Sequence, residues 1–335
     1  MIGQVQTKHR KRLTLIEGPA NHIERSFAQA VKEGLSLTQK AVPSRYFYDQ
    51  RGSELFEEIT ELPEYYLTRA EQSILELSSL EIVRSLDTPL SIVEFGGGSS
   101  KKTRLLIEAA LRSQPVLSYT TLDISAEFIQ GASKQLLETY PELRVTAIAA
   151  EYFAGIGLLP DAALPNLLLF MGSNIGNFED AEAASFLTAV SNRMDTRDGF
   201  LLGFDLAKDP SIIEPAYNDS KGITAAFNKN LLVRINRELG GHFDLASFDH
   251  KAPYLPELGR VEMRLESKKR QTVAIDGLEL NVNFEEGEYI HTENSRKFSE
   301  RNLNELIRLA GLEVDNCWFD SKGWFGLFIL RHRSR

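Results

Sequence analysis

Short apolar segments alternate with amphipathic ones between residues 91 and 207. The apolar segments are "LSIVEF", "LSYTTLD", "LRVTAIAA", "NLLLFMG" and "FLLGFDLA", and the helical patterns among them are "SKKTRLLIEAALRS", "SAEFIQGASKQLLETY" and "EDAEAASFLTAVSNRM". Fully apolar strands that alternate with helices are typical of a parallel sheet covered on both faces. The alternation therefore predicts an α/β fold built on a doubly wound sheet.

This rhythm stops after Ala207, which predicts a second, smaller α+β domain. A long helical pattern, "GITAAFNKNLLVRINREL", is followed there by segments typical of antiparallel strands. The C-terminal segment again has a helical pattern followed by apolar strands, which predicts a closing hairpin. We expect one domain from 68–207 plus 297–335, a second from 23–67 plus 208–296, and a flexible start over 1–22.

The segment before the first strand is dense in aromatic and polar residues. Its beginning, "SRYFYDQRGSELFEEITELPEYY", has a loop-like composition, and a long helical pattern follows Thr68. Threonine is a favoured helix N-cap, so we expect the helix to begin there.

Composition limits the class of protein. The chain has 335 residues and a formal net charge of -9, which argues against a general nucleic-acid binder because such proteins need a basic face. The single cysteine, Cys317, allows no disulfide within the chain and fits a reducing compartment. No secretory signal pattern and no apolar run near membrane-spanning length is present. We expect a soluble, cytoplasmic protein.

The stretch "VEFGGGSSKKTR" places three glycines after the first apolar strand. It does not match the phosphate-binding P-loop, because no glycine stands at the required spacing before Lys101 or Lys102. It also fails the dinucleotide fingerprint, since Lys101 occupies the third glycine position. Taken alone, the loop could be a tight strand-to-helix turn that binds nothing.

Two carboxylates make a ligand site the better interpretation. Glu94 lies inside the first strand, where an acidic side chain is costly unless something satisfies it. Asp123 ends the next strand, and the ends of neighbouring parallel strands converge on one crevice. A carboxylate at that position can accept hydrogen bonds from the two hydroxyls of a ribose. The alternative for Asp123 is a capping role for the helix that begins near Ser125.

An acid, a glycine loop and a second acid form the pattern of S-adenosylmethionine-dependent methyltransferases with a Rossmann-like sheet. The chain also resembles a more specific family, the histidine-specific Nα-methyltransferases that form hercynine for ergothioneine biosynthesis. This resemblance runs from about residue 26 onward and includes motifs outside the methyltransferase core. They are "RYFYDQRGSELFEEITELPEYYLTRAE", "VEFGGGSSKKTR", "GSNIGNF", "AYNDSKGITAAFNKNLLVRINRELG", "VEMRL" and "HTENSRKF".

The resemblance implies a set of cofactor contacts for S-adenosyl-L-methionine. They are Gly96 in the loop, Lys102 after it, Asp123 on the ribose, and Glu151 with Tyr152 beside the adenine. The sequence departs from the family at two places. Glu151-Tyr152 stands where related sequences often carry Asp-Phe, and Asn174 stands where they often carry Thr. A solvated lysine in the first helical turn is the alternative for Lys102.

The resemblance also implies a set of substrate contacts for L-histidine. Asn177 and Tyr217 hold the amino and carboxylate groups, an aromatic wall surrounds the amine, Met263 packs on the imidazole, and two polar groups bind the ring nitrogens. The full substrate set is Tyr48, Phe56, Tyr65, Gly172, Asn177, Tyr217, Met263, Glu293 and Ser295. Tyr48 is in addition the candidate catalytic residue, because it can anchor a water that carries the proton away.

The residue types suit the chemistry of a histidine substrate. A buried carboxylate such as Glu293 can accept a ring N–H, and the Ser295 hydroxyl can bond the other ring nitrogen. An indole could satisfy at most one of the two. A site that pairs such groups rejects analogues that leave them unpaired. Glu293 therefore distinguishes histidine from tryptophan-like substrates, although taken alone it could be a solvated loop acid.

The sequence leaves several alternatives open. The enzyme could methylate another amino acid or a tryptophan-derived compound, or the chain could bind S-adenosylmethionine and an amino acid without turnover. A nicotinamide dehydrogenase is disfavoured by the missing third glycine. The six histidines show no metal-ligand spacing, so we expect no metal. We further expect a monomer that binds neither nucleic acid nor membrane.

Overall fold

The computed structural model describes residues 6–10, 12–18, 21–98, 100–161 and 163–333, without side chains for 6–10 and 21–26. The chain divides into two compact units. The first contains the described residues up to 18, Leu67–Ala207, and those from Phe298 onward. The second contains the described residues from 21 to Tyr66 together with Lys208–Lys297.

The strands of the described residues are numbered along the chain. They are β1 Gln6–Arg10, β2 Leu13–Glu17, β3 Ser91–Phe95, β4 Leu117–Asp123, β5 Leu143–Ala149, β6 Asn166–Phe170, β7 Gly199–Asp205, β8 Phe248–Lys251, β9 Tyr254–Leu255, β10 Arg260–Ser267, β11 Gln271–Ile275, β12 Leu280–Phe284, β13 Tyr289–Arg296, β14 Leu312–Phe319 and β15 Phe325–His332.

The helices are numbered in the same way. They are α1 Asn21–Leu35, α2 Gln50–Thr60, α3 Tyr66–Arg84, α4 Thr103–Leu111, α5 Ala126–Thr139, α6 Tyr152–Ile156, α7 Asp180–Ser191, α8 Pro210–Tyr217, α9 Ile223–Leu239 and α10 Glu300–Leu309. Short 3-10 helices cover Ser44–Phe47, Asn174–Asn177, Leu245–Ser247 and Asp276–Leu278.

The first unit is built on one sheet with the strand order β1-β2-β5-β4-β3-β6-β7-β15-β14. Neighbouring strands from β2 to β7 are parallel, whereas β15 and β14 join as an antiparallel closing hairpin. The α/β fold with a central parallel sheet is therefore confirmed. The order reverses between β3 and β6, and such a switch point is where open α/β sheets bind their ligands.

Both faces of this sheet are buried, and successive strand residues pack on opposite sides. In β6, Leu167 and Leu169 belong to one hydrophobic cluster, while Leu168 and Phe170 belong to the other. Helices α3 and α4 contribute to the first cluster, and α7 and α10 contribute to the second. This two-sided burial explains why strands such as β6 and β7 carry apolar runs in place of an apolar–polar alternation.

The structure differs from the sequence prediction at the start of the chain, where a flexible segment over 1–22 was expected. Strand β2 pairs in parallel with β5, and Leu13 is buried in the hydrophobic core. In β2 only Leu13 is buried and the four residues after it are half-buried, so "LTLIE" lacks the continuous apolar pattern of a fully buried strand. Residues 1–5, 11, 19 and 20 lie outside the described part of the chain.

A second difference concerns the segment that was predicted to be a loop before Thr68. Helix α2 forms there, with Asp49 as its N-cap accepting the Gly52 N–H at 2.7 Å. Its apolar face is short, because the buried large residues are Leu55 and Ile59. Helix α3 begins at Tyr66, so Thr68 lies within its first turn and is not the cap.

The second unit is an α+β structure with antiparallel sheets. Strand β10 pairs with β13 on one side and with β8 and β9 on the other, while β11 and β12 form a separate hairpin. The register of β10 with β13 shifts between Met263 and Arg264, a bulge at Thr292. Bulges of this kind re-aim side chains and are common beside functional sites. The predicted smaller α+β domain is thus confirmed.

Candidate active site

The glycine loop that follows β3 has backbone conformations that favour glycine. Gly96 and Gly98 have φ values of +72° and +48°, which side chains larger than glycine rarely adopt. A Cβ on Gly96 would also lie 2.8 Å from Tyr152 Oη and 3.3 Å from Asn174 Nδ2. The loop therefore needs glycine for its conformation and for the close approach of these two side chains.

Glu94 is satisfied by protein hydroxyls at the base of this loop. Its carboxylate accepts a hydrogen bond from Thr103 Oγ1 at 2.6 Å and another from the hydroxyl of Tyr119. Burial raises the pKa of Glu94 to about 7, against the lowering effect of these hydrogen bonds. A Cβ on Gly97 would lie 3.2 Å from Glu94 Oε2. Glu94 thus ties β3 to β4 and to the start of α4 below the loop.

Asp123 ends β4 and lies beside the same loop. One carboxylate oxygen accepts the Gly98 N–H at 3.3 Å, and the other accepts the Ser125 N–H at 3.1 Å. The capping alternative is therefore partly realised, since Asp123 bonds the N-cap residue of α5, but it also contacts the glycine loop. Burial raises the pKa of Asp123.

Glu151 and Tyr152 follow β5 and begin the short helix α6. The Tyr152 ring makes edge contacts with Phe170 and Phe178, at centroid distances of 5.3 and 6.1 Å. Its hydroxyl approaches Gly96, so it adds a polar atom where a phenylalanine would have none. Burial raises the pKa of Tyr152, so the phenol is neutral.

The turn after β6 carries Gly172, Asn174 and Asn177. Gly172 and Ser173 both adopt positive φ, at +76° and +59°. A Cβ on Gly172 would lie 3.7 Å from Lys102 Nζ and 3.7 Å from Asn174 Oδ1. Gly172, predicted for the substrate, is therefore grouped with Lys102, predicted for the cofactor. Asn177 ends the adjacent 3-10 helix and is half-buried.

Glu71 is a site residue that the sequence reasoning missed. It lies on α3 with no exposed surface, and its Oε1 accepts the Gly172 N–H at 2.8 Å. Its other oxygen pairs with the ammonium of Lys102. Lys102 is thus held by a buried carboxylate, and the alternative of a solvated lysine does not describe it. The available signal was an acid between the apolar positions Ala70 and Ile74.

These residues suit a cationic nucleoside at the switch point of the sheet. The backbone of Gly96–Gly98 is bare of side chains, and the carboxylate of Asp123 lies at its edge. Carboxylates accept hydrogen bonds from ribose hydroxyls and attract ammonium and sulfonium cations. S-adenosylmethionine carries all of these groups, so the residues present fit it.

A second cluster in the second unit joins Tyr217, Ser295 and Lys297. Tyr217 Oη and Ser295 Oγ lie 2.6 Å apart, and Lys297 Nζ donates to each of them at 2.8 Å. Glu293 is buried two residues before Ser295 on β13, and Met263 is its cross-strand partner. Alternate strand residues share a face, so Glu293 and Ser295 lie on the same face of β13, and Lys297, one residue past the end of the strand, bonds Ser295.

Four predicted aromatic residues form a continuous series of edge contacts in the same unit. Centroid distances are 5.7 Å from Tyr48 to Phe56, 6.3 Å from Phe56 to Tyr65 and 6.4 Å from Tyr65 to Tyr217. Phe227 on α9 contacts both Tyr48 and Phe56 and was not predicted. Its only sequence signal is an apolar position in a predicted helix.

A half-buried histidine fixes the backbone of Tyr217. His250 Nε2 donates to the Tyr217 carbonyl at 2.8 Å, while its Nδ1 accepts from Asn228 Nδ2 at 2.9 Å. Burial lowers the pKa of His250, so the ring is neutral and can accept at Nδ1.

The sequence profile of the family "Histidine-specific methyltransferase, SAM-dependent" matches residues 27–332, which is most of the chain. The chain belongs to this family. The family uses S-adenosylmethionine, and methyl transfer is its chemistry, so the predicted family and cofactor are confirmed.

Individual relatives agree with this assignment. The chain is 38% identical over 299 residues to a histidine N-alpha-methyltransferase of Mycolicibacterium smegmatis, covering 89% of this chain and 92% of that protein. It is 31% identical to ergothioneine biosynthesis protein 1 of Schizosaccharomyces pombe, covering 83% of this chain and 37% of the longer protein. A 4-dimethylallyltryptophan N-methyltransferase of Claviceps purpurea is 27% identical and matches 61% of this chain and 62% of that protein.

Two further features bear on metals and membranes. Among the residues that the structure describes, no group of three or more histidine, cysteine, aspartate or glutamate side chains could hold a metal ion. Within the same ranges, no helix is long and apolar enough to span a membrane.

The buried Glu94 makes a prediction about stability and pH. A carboxyl group whose pKa rises from 4.5 to about 7 on folding binds its proton more tightly in the native state. Stability from this group is therefore present below pH 4.5 and is lost as the pH rises to 7. Glu94→Gln cannot titrate at this position. The free energy of unfolding of the wild type, relative to that of Glu94→Gln, should therefore fall by up to ~3 kcal/mol across this range.

Chemical denaturation of both proteins at pH 4.5, 6, 7 and 8.5 measures the difference. Asp195→Asn serves as a control on an exposed carboxyl group whose pKa is lowered instead. An unchanged difference between wild type and Glu94→Gln across these pH values would contradict the assignment.

The Glu71–Lys102 pair makes a second stability prediction. Lys102→Met leaves a fully buried carboxylate without its cation, which should destabilise the first unit by about 3 kcal/mol. Adding Glu71→Gln removes the charge and keeps an oxygen for the Gly172 N–H, so the double variant should be more stable than Lys102→Met alone. Thermal unfolding of the two variants and the wild type gives the comparison. A double variant less stable than the single one would refute the pairing.

Proposed function

We propose that this chain transfers methyl groups from S-adenosylmethionine to the α-amine of L-histidine, three times, to form hercynine. This is the first step of ergothioneine biosynthesis. The observation that supports it most directly is the pair Glu293 and Ser295 on one face of β13, with Ser295 bonded to Tyr217 and Lys297. The pair offers an acceptor and a hydroxyl to the two nitrogens of an imidazole ring.

The cofactor residues proposed from the resemblance are gathered in the first unit. Gly96, Lys102, Asp123 and Tyr152 lie at the carboxyl ends of neighbouring strands, and Glu151 precedes Tyr152 at the start of α6. Asp123 is suited to the ribose hydroxyls, and the bare glycine backbone allows close approach. Glu71 holds Lys102 in place. Bound there, S-adenosylmethionine supplies an electrophilic methyl group.

The substrate residues proposed from the resemblance lie mainly in the second unit. Tyr217 and Asn177 would hold the amino and carboxylate groups, and Gly172 would contribute its backbone. Met263, as the cross-strand partner of Glu293, would pack on the imidazole. Glu293 would accept the ring N–H and Ser295 would bond the other nitrogen.

The protein residues then act mainly by positioning. Methyl transfer needs no covalent enzyme intermediate, so alignment of a deprotonated amine and exclusion of water supply most of the acceleration. The third transfer creates a permanent cation on the substrate. Tyr48, Phe56 and Tyr65 form an aromatic series that can stabilise it by about 0.5 to 2 kcal/mol for each ring.

The decisive experiment is incubation of the protein with L-histidine and S-adenosylmethionine, followed by mass spectrometry. We expect a gain of three methyl groups on histidine and little product from tryptophan, because an indole has one N–H and no ring acceptor. Product from tryptophan or from 4-dimethylallyltryptophan in place of histidine would favour the alternative substrate class. Binding of both ligands without product would favour a non-catalytic protein.

The carboxylate of Glu293 predicts a specific loss on substitution. Burial raises its pKa to about 7, so the acceptor form grows as the pH rises through 7 and histidine binding should strengthen with it. Glu293→Gln should lower kcat/KM for histidine about 100-fold and remove this part of the pH dependence. Glu288→Gln, at a carboxylate paired with Lys40, is the matched control. A Glu293→Gln enzyme with the wild-type pH profile would contradict the proposed contact.

The proton role proposed for Tyr48 has its own test. Tyr48→Phe keeps the ring contacts with Phe56 and Phe227 but removes the hydroxyl that would anchor a water. We expect kcat to fall about 10- to 100-fold, most strongly at low pH where the amine is protonated. Phe56→Leu changes the aromatic series without a hydroxyl and separates the two effects. Full kcat of Tyr48→Phe at every pH would eliminate the proton role.

A monomeric state and a cytoplasmic location also belong to this proposal. The single cysteine, Cys317, supports a reducing compartment, and size-exclusion chromatography with light scattering tests the monomer.

A further inference from the structure

Lys297 is a buried lysine with two hydroxyl partners. It directly follows β13 and is 1% exposed, and its Nζ donates to Tyr217 Oη and Ser295 Oγ. The same Nζ lies 4.6 Å from the centroid of the Tyr217 ring. Lysine is almost never this deeply buried unless it is paired, because the ammonium loses its hydration. Both partners belong to the proposed substrate contacts.

The hydrogen-bond roles in this triangle are constrained by chemistry. An ammonium group has donors and no acceptor, so the oxygens of both Tyr217 and Ser295 accept from Lys297. The two hydroxyls share a third hydrogen bond of 2.6 Å. When Tyr217 donates in that bond, the Ser295 oxygen accepts twice and its own hydrogen is directed out of the triangle. Ser295 then acts on a ligand as a donor.

The neighbouring carboxylate supplies the opposite role. Glu293 and Ser295 share one face of β13, and the ammonium of Lys297, just past the end of the strand, bonds the Ser295 hydroxyl. The positive charge of Lys297 counteracts the rise that burial causes in the pKa of Glu293. A neutral imidazole has one N–H and one bare ring nitrogen, whereas an imidazolium has two N–H groups. An acceptor beside a donor complements the neutral ring.

We propose that Lys297 is a positioning residue of the substrate site, which holds Tyr217 and Ser295 so that Ser295 donates to the bare ring nitrogen while Glu293 accepts the ring N–H. The inference rests on the proposed function and deepens it, because it names the neutral imidazole as the form that is bound. Lys297 acts through Ser295 and Tyr217 and does not itself contact the reacting amine.

The test compares Lys297→Met with Lys40→Met by steady-state kinetics. Lys40 is a matched control because it is also buried in the second unit, is paired with Glu288, and lies 5.1 Å from the Phe284 ring centroid. We expect Lys297→Met to raise KM for histidine about 10- to 100-fold, the effect of a lost charge-assisted hydrogen bond, with kcat changed much less. Lys40→Met should leave KM unchanged. Binding of S-adenosylhomocysteine, measured by calorimetry, should be the same in both variants and the wild type.

A double-mutant cycle with Ser295→Ala separates positioning from general packing. If Lys297 acts through Ser295 as well as Tyr217, Lys297→Met should raise KM less in the Ser295→Ala background than in the wild type, because only the Tyr217 contact then remains to be lost. An equal rise in both backgrounds, or an unchanged KM in Lys297→Met, would overturn the proposal. Should Lys297→Met fail to fold, Lys297→Gln keeps one donor group and should show a smaller rise in KM, and an unchanged KM there is equally decisive.

The outcomes also distinguish a failure of the proposed function from a failure of the role proposed for Lys297. A wild-type protein that adds no methyl group to histidine removes the proposed function, and the role of Lys297 falls with it. A wild-type protein that is active while Lys297→Met has normal kinetics removes only the role of Lys297.

Discussion

A carboxylate that is taken out of water must be matched by donors or by a cation, and this constraint organises the functional residues of both units. Glu94 is matched by the hydroxyls of Thr103 and Tyr119, which bind the base of the glycine loop to its neighbours. Glu71 is matched by Lys102 and by the backbone N–H of Gly172. The loop after β3 and the turn after β6 therefore owe their placement to two buried acids.

Glu293 is a third buried acid, and its surroundings differ from those of Glu94 and Glu71. Its pKa is raised by burial and lowered by the charge of Lys297, and the lysine itself bonds Tyr217 and Ser295. Structural acids such as Glu94 have their donors supplied by hydroxyls of the surrounding strands and helices. In the proposed substrate role Glu293 takes its donor from the substrate, and the nearby charge of Lys297 favours its ionised form.

The sequence predicted the parallel sheet well, because β3 to β7 are largely buried and short apolar runs such as those of β6 and β7 alternate with helical patterns. It failed where burial is partial or local. Strand β2 lies next to the edge of the sheet and is mostly half-buried, and the large residues that α2 buries are Leu55 and Ile59. The resemblance supplied candidate site residues, but Glu71 and Lys297 were missed because charged residues are expected at the surface. Only the contacts of the folded chain reveal that both are buried.

The two departures from the family pattern meet at one point in the fold. Tyr152 adds a hydroxyl and Asn174 adds a carboxamide, and the positions are far apart along the chain. A Cβ on Gly96 would lie 2.8 Å from Tyr152 Oη and 3.3 Å from Asn174 Nδ2, so both polar groups border the same glycine. Residues that share a contact are energetically coupled, so the effect of either departure depends on the other. The two positions are 22 residues apart in the sequence, but in the structure their side chains border the same residue of the glycine loop, Gly96.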